Sequence, residues 1–385
     1  MKLLILSTKY PSPNFPMSGS NKSEFGLALK QKGVDIEILV PIPIQIAIKN
    51  GLSVGRDEKY NGIKTFHPWF IKIPFGSSYF SKFQGFLFRA SIKKHLLRYK
   101  KSGGKLIQSH SISLAGASAN YYKKWGFISI VTLHDNEVHD IKYRPKSYLR
   151  FIEKEINKSN QLLCVSQQQL LNMKRCMKIN VPNEVIPYGI KKQEVSKKIL
   201  PTLFTISIVC RLIKNKGVDI LIKALAIINN KQKKQIKLII VGTGNYEMNL
   251  KKLVEELNQN SNIIFNGEKP NHEIPGIISD THVFILPSFE EALGLVYFEA
   301  MSVKTPIVGI IGQGIADYII HGENGYLAPP KDVSALVDII ETLLKNPSHL
   351  KKVGENGFQV FEKSNVEWSK NAEKHLEIYY RFLKV

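Results

Sequence analysis

Two carboxylates eight positions apart, Glu291 and Glu299, flank Gly294 in the run Pro287-Ser288-Phe289-Glu290-Glu291-Ala292-Leu293-Gly294-Leu295-Val296-Tyr297-Phe298-Glu299. Upstream, His282-Val283-Phe284-Ile285-Leu286 is a short apolar run suited to a buried strand, and Pro287-Ser288 ends it in a turn. From about 294 to 303 the spacing of Leu295, Val296, Phe298 and Met301 predicts a helix. Strand, turn and helix N-terminus is where an α/β sheet places ligands, and free backbone N–H groups there favour a phosphate. Glu291 falls in the turn beside whatever binds. Glu299 lies inside the helix and reaches a different part of the same ligand. A pair of cations, Arg211 and Lys216, stands on the loop after an earlier apolar run and at the start of the next helix.

The carboxylate spacing resembles the E-x7-E signature of retaining GT-B glycosyltransferases, the "group 1" or family-four class. Four further segments carry the resemblance in the expected order, over about 120 residues. Val209-Cys210-Arg211-Leu212-Ile213-Lys214-Asn215-Lys216-Gly217 is similar to G-R-L-x-x-x-K-G, and Gly242-Thr243-Gly244 to the end of V-G-x-G. Lys304-Thr305-Pro306-Ile307-Val308 and Gly322-Glu323-Asn324-Gly325-Tyr326-Leu327 resemble G-x-P-V-V and G-x-x-G-x-L.

The resemblance implies an α/β chain of the GT-B fold, two Rossmann-like domains facing across a cleft, that binds a nucleotide sugar. It implies that Glu299 accepts hydrogen bonds from the nucleotide ribose. Glu291 would contact the donor sugar and stabilise its developing positive charge. Alignment on Gly294-Leu295-Val296 selects Glu291 and leaves Glu290 as a solvated neighbour. The N–H groups of Leu295 and Val296 are candidates for the distal phosphate. A leaving diphosphate needs neutralising, and the sequence has no Asp-x-Asp motif for a divalent metal. Two fixed cations, Arg211 and Lys216, with a helix N-terminus are the remaining solution, so neither metal nor cofactor is expected.

Other matches fall in the first half. Lys9-Tyr10-Pro11-Ser12-Pro13 through Ser18-Gly19-Ser20 resembles a P-x-x-G-G loop that approaches donor phosphate and acceptor, with Gly19 the one glycine kept. Val131-Thr132-Leu133-His134-Asp135-Asn136-Glu137 resembles T-x-H-G-x-D, which places His134 where the family has a histidine facing the donor sugar. His110 resembles the second His of an I-H-x-H segment and reads as structural or as a support behind the residues that touch the donor. Departures are Asp135 for Gly, Glu137 for Asp, Cys210 for the Gly before Arg211, and Asp317 for a Glu.

These residues need a scaffold. A length of 385 residues favours two domains, and 43% apolar residues fills their cores. Strands are predicted at 2–7, 36–40, 63–66, 128–133, 161–165 and 184–187, then at 204–209, 236–241, 262–265, 282–286 and 306–309. Helices are predicted near 216–229, 246–258, 331–345 and 347–362. Alternating strands and helices imply parallel sheets. The polar run Lys191–Lys198 marks a boundary, giving an N-terminal acceptor-side domain 1–195 and a nucleotide-sugar domain 196–365. Residues 366–385 are expected as a helix crossing back to the first domain.

Cys164, Cys176 and Cys210 form no paired pattern, as expected in a reducing cytosol. No window approaches the ~18 apolar residues of a spanning helix. Charge is uneven: residues 1–200 hold 33 Lys and Arg against 12 Asp and Glu, whereas the remainder hold 21 against 20. The basic half should meet something anionic and extended. In residues 79–101, Phe80, Phe83, Phe86, Leu87, Ile92, Leu96 and Tyr99 fall roughly on helical spacing among seven cations. Such a helix suits an anionic bilayer.

The expectation is a retaining, metal-independent hexosyl- or N-acetylhexosaminyltransferase of surface polysaccharide or lipopolysaccharide synthesis. Its donor would be a UDP-sugar and its acceptor a glycan, lipid-linked, with the enzyme cytoplasmic on the inner face of the cell membrane. Two alternatives are a nucleotide-sugar epimerase of similar fold and a basic nucleic-acid-binding protein. The paired cations and acids argue against the first. The second lacks a reading helix, an RNA-binding motif or zinc spacing, so no nucleic acid is expected.

Overall fold

Short apolar runs between polar turns pair as parallel strands, and the intervening helices cover their faces. The computed structural model describes residues 1–8, 10–11, 20–49, 57–73, 78–134, 144–191, 200–232, 235–364 and 366–384. The chain divides into unit 1, Met1–Gly189 with Trp368–Val385, and unit 2, Ile190–Glu367. Both are α/β and Rossmann-like.

Unit 1 contains β1 (Lys2–Ser7), β2 (Asp35–Leu39), β3 (Ile42–Pro43), β4 (Asp57–Tyr60), β5 (Ile63–Phe66), β6 (Trp69–Phe70), β7 (Leu106–His110), β8 (Ile128–Thr132), β9 (Gln161–Cys164) and β10 (Asn183–Val185). Its main sheet runs β10-β9-β8-β7-β1-β2-β5-β4, parallel except for the β4–β5 edge, while β3 and β6 form a separate pair. The predicted strands match six of these within about two residues, but β7, the edge strand β4 and the short pair β3 and β6 were not among them. Only Leu106 and Ile107 of its five residues are apolar, yet all five are buried. Burying Gln108 is made possible by its partners: Nε2 donates to Thr132 Oγ1 at 2.8 Å, and Oε1 accepts from the Tyr379 hydroxyl.

Tyr379 lies on the last helix, Trp368–Leu383, which packs on unit 1. Trp368 occupies the space a side chain at Gly189 would need, and Asn371 Nδ2 donates to Pro187 O at 2.5 Å. The divisions at 189/190 and 367/368 differ from the sequence boundaries at 195/196 and 365/366. Ile190 bridges to Glu367, and its N–H donates to Val366 O at 2.5 Å, so both crossings are fixed together ahead of the polar run. Residues 192–199 of that run lie outside the described residues.

Unit 2 has β11 (Thr205–Val209), β12 (Lys237–Val241), β13 (Ile263–Phe265), β14 (Val283–Ile285), β15 (Ile307–Ile310) and β16 (Tyr326–Ala328). All are parallel, in the order β13-β12-β11-β14-β15-β16. The order reverses between β11 and β14. Connections leaving the carboxyl ends of two such neighbours diverge and open a crevice, which is where open α/β sheets bind ligands.

Candidate functional site

The β11–β14 switch point of unit 2 gathers residues that the family resemblance singled out. After β11 the chain makes a turn at Lys214–Lys216 and reverses at Gly217 with φ 68°. A Cβ there would overlap the Pro287 carbonyl oxygen, so the two connections touch backbone to backbone. Phe289 N–H donates to Asn215 O at 3.0 Å, and Asn215 Nδ2 donates to Glu290 Oε2 at 3.1 Å. Glu290, expected as a solvated neighbour, is therefore held in place by Asn215.

That stitching brings Lys216 Nζ to 2.5 Å from Glu291 Oε2, with the two side chains 18% and 12% exposed. Glu291 is also held through its backbone: its N–H donates to Gln313 Oε1 at 2.7 Å, and its carbonyl accepts from Gly314 N–H at 3.2 Å. A third connection, after β15, thus supports the acid. Asn215 Oδ1 is buried beside this pair with no hydrogen-bond partner in the structure.

Gly294, with φ 76°, begins the helix Leu295–Ser302 and supplies no side-chain cap. The amides of Leu295 and Val296, in the first turn of this helix, therefore have no side-chain cap. Tyr297, Phe298, Ala300 and Met301 anchor this helix in the core, and Tyr297 Oη donates to Leu286 O at 2.5 Å. Glu299 is partly exposed on the same helix, and burial pushes its carboxyl up to about 7. Arg211 is exposed on the connection that carries Lys216. Gly242, with φ 127°, admits the Cys210 carbonyl oxygen where a Cβ would stand. Burial pushes the Cys210 thiol up to about 12, so it is no thiolate at neutral pH. No group of three or more His, Cys, Asp or Glu able to hold a metal occurs among the described residues.

Residues 190–360, nearly all of unit 2, match the family model for glycosyl transferases group 1. The match to the group 1 glycosyltransferases thus rests on unit 2. Among its relatives is the capsular polysaccharide biosynthesis glycosyltransferase CapM of Staphylococcus aureus, 28% identical over 204 residues, 50% of each chain. The chain thus spans about half the length of that relative. A Bacillus subtilis glycosyltransferase assigned to teichuronic acid biosynthesis, TuaC, is 23% identical over 362 residues, 88% of each chain. HepE of Anabaena, solved with UDP, superposes with a TM-score of 0.74 at 17% identity, covering 99% of this chain and 100% of that one. This last likeness speaks for the fold, which is GT-B.

The expected His134 belongs to unit 1. It follows β8 and stacks between His110, at the end of β7, and Tyr188, with ring centroids 4.9 Å and 5.3 Å away. His110 Nδ1 and His134 Nε2 lie 2.9 Å apart, and His134 Nδ1 meets the Tyr188 hydroxyl. Both ring nitrogens of His134 are thus engaged. Burial and the nearby Lys22 charge hold both imidazoles well below the usual histidine range, so both are neutral. His110 Nε2 is buried without a hydrogen-bond partner.

The structure brings Lys216, Glu291, Gly294 and the Leu295 amide end together and sets Glu299 one turn further along the helix. Gly19 and the segment Asp135–Glu137 lie outside the described residues. Asn215, Gln313 and Tyr188 were not singled out from sequence. Each acts across space on a residue that was.

Proposed function

We propose that the chain is a retaining, metal-independent glycosyltransferase that moves a sugar from a nucleotide sugar, UDP-linked by preference, to a lipid-linked glycan acceptor in surface polysaccharide synthesis. The observation that carries the reading is the Lys216–Glu291 pair, 2.5 Å apart beside an uncapped helix start at the switch point. An ammonium and free amides suit a diphosphate, and a carboxylate beside them suits a sugar that gains positive charge as the diphosphate leaves. Arg211 adds the second cation. Glu299 accepts from the ribose, and His134 hydrogen-bonds a sugar hydroxyl by exchanging one of its two present partners, His110 or Tyr188.

The UDP preference draws support from HepE, whose structure was solved with UDP. Capsular and teichuronic acid synthesis, named for two relatives, supports a glycan acceptor. The excess of 33 basic over 12 acidic residues in the first 200 supports an acceptor held at an anionic membrane. No described helix is long and apolar enough to cross a membrane. Calorimetry against a panel of nucleotide sugars, followed by NMR of the product's anomeric configuration, tests the reading. UDP-sugar binding with retained configuration and full activity in EDTA is the expected result. Inversion, or activity restored only by a divalent ion, overturns it.

A further inference from the structure

Residues 59–134 hold 13 Lys and Arg and no Asp or Glu. Within that stretch the helix Ser78–Lys101 carries two apolar stripes, of which the core uses one. Phe88, Ile92, Leu96 and Tyr99 are fully buried against the sheet. On the opposite side Phe83, Phe86, Ala90 and Leu97 are exposed and fall within roughly 60° of one another around the helix axis. Phe83 is 51% and Phe86 59% exposed, and their rings stack on each other at 6.3 Å. Exposed Lys93, Lys94 and Lys101 share this outer face.

The surface continues beyond the helix. Along Trp69-Phe70-Ile71, Phe70 turns inward against Phe88 while Trp69 and Ile71 stay about half exposed. Gln84 fastens this segment to the helix: its Oε1 accepts from Ile73 N–H at 2.6 Å and its Nε2 donates to Ile71 O at 3.0 Å. Gln45 does the same at Lys72, joining the short helix Ile44–Lys49, where Ile48 is 75% exposed. Two glutamines thus hold three pieces of chain together under a common apolar surface.

We propose that this face is the one by which unit 1 docks on an anionic lipid bilayer, with Phe83, Phe86, Trp69 and Ile71 entering the headgroup boundary and Lys93, Lys94 and Lys101 meeting lipid phosphates. Apolar side chains rimmed by cations gain from both parts of such an interface. A second copy of this chain fits poorly, since a two-fold contact would oppose two faces on which Lys93, Lys94 and Lys101 are all cationic. The proposal deepens the membrane part of the reading above, and its test needs no glycosyl transfer.

The full chain is sedimented with phosphatidylcholine vesicles, with and without phosphatidylglycerol, at low and high salt. It should bind the phosphatidylglycerol vesicles about tenfold or more tightly, and salt should weaken that binding. Phe83→Ser with Phe86→Ser should lower the affinity about tenfold. Lys93→Glu with Lys94→Glu, at exposed positions that leave the core untouched, should do the same and flatten the salt dependence. Unchanged vesicle binding in the lysine variant overturns the proposal even where the phenylalanine variant fails to fold. So does a shift from dimer to monomer in sedimentation velocity with vesicle binding intact, which would make a second copy the occupant. Calorimetric UDP-sugar binding should be the same in all variants, so a failure of docking and a failure of the donor reading give different results.

Discussion

Lys216 Nζ stands 2.5 Å from Glu291 Oε2, joining two residues 75 positions apart across the divide between β11 and β14. Neither residue can serve its expected partner without giving up part of this contact. On the proposed reading, a bound diphosphate would draw the ammonium toward the phosphate oxygens and free the carboxylate for the sugar. Replacing either side chain should therefore lower turnover by about 10²–10³-fold, the usual loss when one charge-stabilising group is removed. The fold should survive, because Glu291 keeps its backbone bonds to Gln313 and Gly314. Steady-state rates and melting temperatures of Lys216→Met and Glu291→Ala check this, and near-normal rates in either would dismiss the pair from the chemistry.

Glu299 should give nucleotide binding an unusual pH dependence. Its carboxyl is raised from 4.5 to about 7 by burial alone. The carboxylate form accepts ribose hydroxyls more strongly than the neutral acid does. If binding requires that form, affinity rises about tenfold between pH 6 and pH 8, following the ionised fraction. Stability of the free protein runs the other way. The native state keeps this proton where the unfolded chain has released it, so stability is present below 4.5 and lost as pH rises toward 7. Calorimetry on wild type and Glu299→Gln separates the two, since the amide should bind with a flat profile.

Acid should destabilise unit 1 through its histidines. Burial holds His110 and His134 well below 6.5 and His375 at about 4. The unfolded chain therefore takes up protons near pH 6.5 that the native unit refuses. Stability is full above that pH and falls as pH drops toward the folded values, by about 1.4 kcal/mol per pH unit for each such histidine. Trp69, Trp125 and Trp368, the three tryptophans of the chain, all lie in unit 1, so their fluorescence reports this unit. Urea unfolding at pH 7.0 and 5.5 should show the loss, and His375→Gln should reduce it by about a third. A pH-independent midpoint would contradict the neutral assignment.

Local signals account for what was legible from sequence. Strands such as Lys2–Ser7 and Thr205–Val209 read correctly because their apolar runs are nearly unbroken, and the Glu291–Glu299 spacing was visible because one turn and one helix hold both. β7 was hidden because Gln108 and His110 are buried on the strength of bonds to Thr132, Tyr379 and His134, residues distant in sequence. Tyr188 and Gln313 escaped notice for the same reason. In the helix Ser78–Lys101, spacing gave one apolar set where the structure has two, because sequence cannot tell which of two stripes the sheet will cover. Glu290 looked solvated for want of any local clue to Asn215.

Gly242 carries the tightest local demand near the crevice. Its φ of 127° lies outside the range of side-chain-bearing residues, and an added Cβ would overlap the Cys210 carbonyl oxygen. The neighbouring Gly244 meets Leu212 O in the same way, so the connections after β11 and β12 run in backbone contact. Cys210 N–H donates to Val241 O at 3.0 Å and Leu212 N–H to Thr243 O at 2.8 Å, so neither strand can yield without losing hydrogen bonds. Gly242→Ala should therefore cost about 2–4 kcal/mol and displace the connection that carries Arg211 and Lys216, weakening nucleotide binding as well. Gly276→Ala is the control: it meets nothing within 4 Å in the helix Ile274–Ser279 and has no positive φ, so it should be neutral or stabilise by up to about 1 kcal/mol. Equal denaturation midpoints for the two variants would refute the close approach at Gly242.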